Sequence, residues 1–344
     1  MTGDDAFTRA PYDPELAAAA EPMLAAAAGQ PPLSTDTLAD ARKRMAAMNL
    51  TCADAIGDRD ITWEDRLVPG PPGQPDITVT VLRPGWTRPD APGFYNIHGG
   101  GMVMDNRFSD LPRMVNLIGE FGCVAVTVEY RLAPEHPHPA PVEDCYAGLT
   151  WMAGHAGELG FDPRRLVIGG GSAGGGLAAG VALLARDRGG PAIAGQMLLC
   201  PMIDDRNDSP STHQYGGTAV WSRSSNDVGW KALLGADHGT ERVLPYAAPA
   251  RATDLSGLPP AFVEVGEAEI FRDEDVQYCD RLWRAGVPAE LHVWAGAYHG
   301  FDRIAPDSAA TTAALQARSS WMRRTLGLHV NLSGAQGNVD RGPL

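Results

Sequence analysis

The sequence predicts an α/β fold, with a mostly parallel central sheet flanked by helices and a helical cap. Three observations carry that expectation. Short β-rich runs give way to alternating strands and helices, several of the strands are continuous apolar runs, and two segments differ in texture from the rest of the chain. Alternation of strand and helix builds parallel sheets. Strands with few polar residues are those covered by helices on both faces.

Taken in order, PELAAAAEPMLAAAAG (14–29) and DTLADARKRMAAMNL (36–50) are helices by alanine propensity, punctuated by Gly29-Gln30-Pro31-Pro32. ITWEDRLV (61–68), DITVTVLRP (76–84) and GFYNIH (93–98) read as strands. GCVAVTVEY (122–130) is a strand, PVEDCYAGLTWMAGHA (141–156) a helix, RRLVIGG (164–170) a strand, SAGGGLAAGVALLARDRG (172–189) a helix and AGQMLLC (194–200) a strand. The stretch 201–258 is too long for an ordinary connection and reads as a lid with helices of its own. AFVEVG (261–266), a helix over DEDVQYCDRLWRAG (273–286), ELHVWAG (290–296) and a helix over AATTAALQARSSWMRRTLG (309–327) complete the pattern. The chain therefore divides into a helical cap segment (1–60), a core (61–200 and 259–327), a cap excursion (201–258) and a tail (328–344).

A chain of 344 residues with 44% hydrophobic and 20% charged content fits one large domain with a substantial core. Its net charge of −14 and pI near 5.0 repel nucleic acid and anionic membranes, so the expected partner is a small molecule. No segment approaches a membrane span, and MTGDDAFTRAPYDPE has neither the basic start nor the apolar run of a secretion signal. A cytoplasmic location is expected. Cys52, Cys123, Cys145, Cys200 and Cys279 show no CxxC or His-paired spacing and read as reduced structural thiols.

Two glycine-rich stretches carry chemistry. In LVIGGGSAGGGL (166–177), Gly170, Ser172 and Gly174 match G-x-S-x-G, in which the serine occupies a tight strand-to-helix turn. The flanking positions need glycine for the two backbones to approach, and the helix N-terminus places free N–H groups beside the hydroxyl. Alone, the stretch also fits a glycine-rich turn around an unreactive serine. The second stretch, Asn96-Ile97-His98-Gly99-Gly100-Gly101, ends the GFYNIH strand with bare backbone donors suited to a developing oxyanion, and His98 can hold the loop by hydrogen bonds.

A serine nucleophile needs a base and the base an orienting acid, in the chain order Ser, acid, His. His136 and His138 lie in a Pro-rich loop, His155, His213 and His238 at helix ends or in the lid, His292 within a strand and His329 in the tail. His299, in the loop after the last strand, is the candidate base. The loop after AFVEVG offers Glu267, Glu269, Asp273, Glu274 and Asp275. Glu269 is the best placed acid and Asp273 the second, because Asp273 to Asp275 suit the first turn of the next helix, where acids complement the dipole. Glu267 reads as a solvated loop charge.

With Tyr130-Arg131-Leu132-Ala133-Pro134-Glu135 and Tyr298-His299-Gly300-Phe301 added, residues 61 to 327 resemble the hormone-sensitive-lipase-like (arylacetamide-deacetylase-like) family of α/β-hydrolases. The resemblance implies the α/β-hydrolase fold, Ser172 as nucleophile, His299 as general base and acid, and the amides of Gly100, Gly101 and Ala173 as oxyanion donors, with His98 and Gly99 shaping the loop. It also implies a cap made from the N-terminal helices and the late excursion, and a homodimer joined through an edge strand. Two positions depart from the family pattern. Gly171 stands where G-D-S-A-G-G has aspartate, and Glu269 stands where D-P-L-R-D-E has aspartate, as in some branches.

The expected activity is a serine carboxylester hydrolase acting on small to medium acyl esters through an acyl-enzyme, with no metal or organic cofactor. The alternatives are an amidase, lactonase, deacetylase or lyase on the same fold, and, from another class, a non-catalytic ligand-binding protein. The last would be expected to lack a member of the Ser172, Glu269 and His299 set. In the lid, Tyr215, Trp221 and Trp230 either wall a substrate pocket or form the cap's own core.

Overall fold

A single sheet organises the chain, whose computed structural model describes residues 8–328 except 87, 89 and 218. Residues 1–7 of the expected cap segment, His329 and the rest of the expected tail lie outside the described residues. The strands are β1 (Ile61–Val68), β2 (Ile77–Pro84), β3 (Gly93–Ile97), β4 (Val124–Glu129), β5 (Leu166–Gly171), β6 (Gly195–Leu199), β7 (Ala261–Gly266) and β8 (Ala289–Trp294). Their order across the sheet is β1-β2-β4-β3-β5-β6-β7-β8. β2 is antiparallel to both β1 and β4, and every pairing from β4 through β8 is parallel.

The helices are α1 (Pro14–Ala28), α2 (Leu38–Met48), α3 (Cys52–Ile56), α4 (Leu111–Phe121), α5 (Ala140–Gly154), α6 (Ala156–Leu159), α7 (Ala173–Arg188), α8 (Pro210–Gln214), α9 (Arg223–Leu234), α10 (Arg272–Arg284), α11 (Phe301–Ile304) and α12 (Ala309–Thr325). Successive strand residues alternate between two apolar layers. Tyr95, Ile97, Ile168, Leu198 and Val263 pack with α5, α7 and α10. Phe94, Val167, Met197 and Phe262 pack with α3, α4 and α12. Coverage on both faces explains why the parallel strands read as unbroken apolar runs.

Helix α4 was not among the elements read from the sequence. It buries Leu111, Met114, Val115, Leu117, Ile118 and Phe121, carries Pro112 in its first turn, and ends at Gly122 with φ 60°. Those are ordinary start and stop signals. It also supplies the crossover that parallel β3 and β4 require. Among the described residues no helix is long and apolar enough to cross a membrane.

One charged cluster is buried between the sheet and α12. Arg318 donates from Nε to Glu264 Oε1 at 3.0 Å and from Nη2 to Asp302 Oδ2 at 2.8 Å, and all three side chains are at least 85% buried. Burial alone would raise the Asp302 carboxyl, but the charges of Arg318 and Arg113 bring it down to about 2. Asp302 therefore contributes stability that is present above the ordinary carboxylate value of about 4 and is lost as pH falls from there towards about 2. Arg318→Met leaves two buried carboxylates without their shared cation and should cost about 3 to 5 kcal/mol in urea unfolding at pH 7. Without the cation the Asp302 carboxyl binds its proton at higher pH, so the deficit should narrow as the pH is lowered to about 5. A deficit below about 1 kcal/mol, or one independent of pH, would show that the cluster is not coupled in this way.

Candidate active site

The sheet reverses its order of chain entry at β3, with β4 on one side and β5 on the other, and crevices form at the carboxyl ends of strands at such a point. Ile97 pairs with Gly170 there, which brings the two glycine-rich stretches side by side. β5 ends at Gly171 and α7 begins at Ala173, so Ser172 alone makes the turn, at φ 58° and ψ −127°. A side chain held at positive φ outside a glycine is strained, and the surroundings must hold it. The Ser172 amide donates to Leu199 O at 2.8 Å and its carbonyl accepts from Met202 N at 3.0 Å. A Cβ on Gly170 would lie 2.4 Å from Ile97 O, and one on Gly174 2.0 Å from the same atom. Glycine at both positions is a packing requirement. Gly171 differs, because a Cβ there would stand 3.4 Å from Arg113 Nη2, so a guanidinium occupies the neighbourhood of the missing aspartate.

His299 Nε2 lies 3.0 Å from Ser172 Oγ, and its Nδ1 lies 2.5 Å from Glu269 Oε2. The other Glu269 oxygen accepts the Gly266 amide at 2.8 Å, and the imidazole meets the Phe271 ring edge-on at 5.2 Å. Nδ1–H directed at the carboxylate leaves the Nε2 lone pair facing the serine hydroxyl, which is the tautomer a general base requires. The structure brings Ser172, His299 and Glu269 together. Asp273 is engaged elsewhere: it accepts the Ser211 amide at 2.8 Å and pairs with Arg272.

The neighbouring acids of that loop are structural rather than simple complements to a dipole. Glu267 accepts the Gly296 amide at 2.9 Å and so ties down the loop leading to His299, which corrects its reading as a solvated charge. Glu274 accepts the amides of Ile203 and Asp204 at the base of the lid, and its burial pushes its carboxyl up. Asp275 is wholly buried.

Gly100 (φ 92°) and Gly101 (φ 63°) turn the loop after β3, and a Cβ on Gly100 would meet Met104 O at 2.1 Å. Among the described residues the amides of Gly100, Gly101 and Ala173 have no acceptor, Ala173 because it opens α7. His98 is fully buried, lies flat against Tyr130 at 4.1 Å, and directs Nδ1 at Gly99 O at 3.0 Å. Burial holds its pKa below the ordinary histidine value, so the ring is neutral and Nδ1 is the donor. The Tyr130 hydroxyl reaches the carbonyls of His98 and Gly99 at 3.0 and 3.1 Å.

The rest of the Tyr130–Glu135 motif braces the same loop. Arg131 forks onto buried Asp144, and Glu135 pairs with Arg42 of α2, whose hydrogen bond brings that carboxyl down to about 2. Arg42 also donates to Val103 O at 2.7 Å and Ala133 O at 2.8 Å, so α2 clamps the loop after β3 against the Tyr130–Glu135 segment. Nothing in the spacing of the sequence pointed to Arg42.

The lid aromatics divide. Trp230 is fully buried, and Tyr215 is buried with its hydroxyl on the Ala10 backbone. Trp221 instead presents its ring to the glycine loop after β3, 2.8 Å from where a Gly101 Cβ would stand, with its indole N–H on Asn226 Oδ1 at 3.2 Å. All five cysteines are free thiols, but Cys200 belongs to the site: its sulfur lies within 4.8 Å of ligand atoms of both Glu269 and His299. Sequence spacing could not report that pairing, because 99 positions separate Cys200 from His299.

Known proteins resemble the chain over most of its length. A family profile described as alpha/beta hydrolase fold matches residues 94–303. The chain is 36% identical over 249 residues to carboxylesterase NlhH of Mycobacterium tuberculosis, covering 72% of this chain and 77% of that protein. It is 34% identical over 293 residues to esterase LipI of the same organism, covering 78% and 91%. Among solved structures, a bacterial heroin esterase superposes with a TM-score of 0.83 at 37% identity, covering 92% of this chain and 98% of that one. A hyperthermophilic esterase from the archaeon Pyrobaculum calidifontis superposes with a TM-score of 0.82 at 29% identity, covering 91% and 98%. The chain is an enzyme of the hormone-sensitive-lipase-like family of α/β-hydrolases.

Proposed function

We propose that the enzyme is a serine carboxylester hydrolase for small to medium acyl esters, working through an acyl-enzyme on Ser172. The observation that carries this reading is the relay from Ser172 Oγ through His299 to Glu269 at 3.0 and 2.5 Å, beside three amides with no acceptor. Relatives named as esterases support the substrate class. His299 Nε2 accepts the Ser172 proton as Oγ attacks the ester carbonyl, and Glu269 stabilises the imidazolium. The amides of Gly100, Gly101 and Ala173 receive the oxyanion, at about 3 to 4 kcal/mol per donor. His299 then protonates the leaving alcohol, and the same nitrogen activates water to release the acid. Trp221 above Gly101 narrows the space over the oxyanion loop, which favours short acyl groups.

The described residues of 8–60 and 201–258 act as the cap in this reading, and β8, at one edge of the sheet, is the surface through which a homodimer would form. The five free thiols suit a cytoplasmic location. A fluorophosphonate should add covalently to Ser172 and abolish turnover of p-nitrophenyl esters, with short acyl chains turned over faster than long ones. Folded protein that takes no label and hydrolyses no member of the ester series would be a ligand-binding protein instead.

A further inference from the structure

The proposed hydrolytic cycle leaves Cys200 without a task. It follows β6 at φ 40°, a backbone conformation that side chains other than glycine rarely adopt, and its amide donates to Glu264 O at 2.6 Å. The sulfur, a Glu269 carboxylate oxygen and a His299 ring nitrogen lie within 4.8 Å of one another. Thiolate, imidazole and carboxylate are the three ligand types that zinc takes, and a set of three with a fourth position open is a familiar zinc arrangement. The sulfur biases the set towards thiophilic cations over magnesium or calcium.

A second observation points to the same place. Asp275 is 0% exposed, and among the described residues neither of its carboxylate oxygens has a hydrogen-bond partner. It lies within electrostatic reach of Glu269 and Cys200. Burial and the neighbouring carboxylates Glu274 and Glu269 push this unpartnered carboxyl up, and a cation bound beside Glu269 and Cys200 would offset that push and favour its ionised form.

We propose that Cys200, Glu269 and His299 form a binding site for a thiophilic divalent cation, with Zn²⁺ as the reference ion, and that occupancy switches the enzyme off. Tetrahedral zinc with bonds of about 2.0 to 2.3 Å needs ligand atoms about 3.5 Å apart, so shifts of about 1 Å bring the Cys200 sulfur in and, where Nδ1 is the ligand, part it from Glu269 Oε2, now at 2.5 Å. Binding forms Zn–S, Zn–N and Zn–O contacts, releases the Cys200 thiol proton to solvent, and changes no oxidation state. Thiolate and Glu269 carboxylate together neutralise the ion. If zinc takes Nδ1, the ring proton moves to Nε2; if it takes Nε2, the lone pair is used. In both cases Ser172 loses its base.

The inhibitory half rests on the proposed roles of Ser172 and His299, so binding and inhibition are measured separately. Equilibrium dialysis on full-length Ser172→Ala, which needs no activity, should find one zinc per chain, and adding Cys200→Ser should weaken it by roughly tenfold or more. Co²⁺ in place of zinc should show a thiolate charge-transfer absorption that Cys200→Ser abolishes. Asp275→Asn, which keeps all three ligands, should weaken zinc by roughly tenfold and serves if the serine variant misfolds. In the active protein, zinc should inhibit ester turnover reversibly, with EDTA restoring the rate. No zinc on the Ser172→Ala protein, or equal zinc affinity with and without Cys200, overturns the proposal. Absence of ester turnover before any zinc is added would count against the hydrolase reading alone and leaves the dialysis result standing.

Discussion

Ser172→Ala should lower kcat on p-nitrophenyl esters by about 10⁶-fold while leaving KM nearly unchanged. The hydroxyl contributes nothing to holding the ground-state ester, and all of its effect appears once Oγ bonds to the carbonyl carbon. What remains in the variant is stabilisation by the amides of Gly100, Gly101 and Ala173, which keeps residual turnover about 10³ to 10⁴ above water. The amide and carbonyl of residue 172 keep their bonds to Leu199 and Met202, so the turn is retained and the loss is chemical rather than a failure to fold. A variant retaining a tenth of the wild-type rate with unchanged thermal unfolding would place the nucleophile elsewhere, as a lyase using only the oxyanion amides would require.

Glu269→Gln should cost about 10⁴-fold in kcat. The glutamine oxygen can still accept the Gly266 amide now held by Glu269 Oε1 at 2.8 Å. Its NH₂ then faces His299 Nδ1, which must accept instead of donate. The ring proton is forced to Nε2, and the base points a hydrogen at the serine hydroxyl. The loss is therefore one of tautomer and imidazolium stabilisation, with geometry preserved. Asp273→Asn is the matched comparison, because its carboxylate accepts the Ser211 amide and pairs with Arg272. It should lower thermal stability by loosening the lid while keeping kcat within a few-fold. If the asparagine variant suffers the larger kinetic loss, the orienting acid is Asp273 and the short contact from His299 to Glu269 is structural.

The two glycine motifs were legible because their chemistry depends on backbone approach, and backbone approach is enforced residue by residue. Gly170 and Gly174 have no room for a Cβ against Ile97 O, so the sequence records the contact directly. His299 stood out because the order of Ser, acid and His, with His329 in the tail, left one histidine in the loop after the last strand. Glu269 was favoured over Asp273 because the latter opens a helix, and the structure engages Asp273 with the lid.

Other features left a weak local mark or none. Helix α4 has its proline and glycine signals but lies between two segments with stronger strand signals. Arg42 reaches Val103, Ala133 and Glu135 from a helix read only as alanine-rich. Trp221 could not be told from Trp230 by type or spacing, yet one faces the glycine loop after β3 and the other is buried in the core cluster shared with the sheet.

By itself the sequence determined the α/β class, the strand-to-helix turn at Ser172 and the donor loop after Ile97, because periodicity and forbidden side-chain volume act over a few residues. Only the tertiary structure decided which carboxylate faces His299, that Arg42 clamps the loop after β3, and that Cys200 and Asp275 lie near Glu269. Those contacts join β6, β7, α2 and α10 across the sheet order, where separation along the chain carries no information about distance in space.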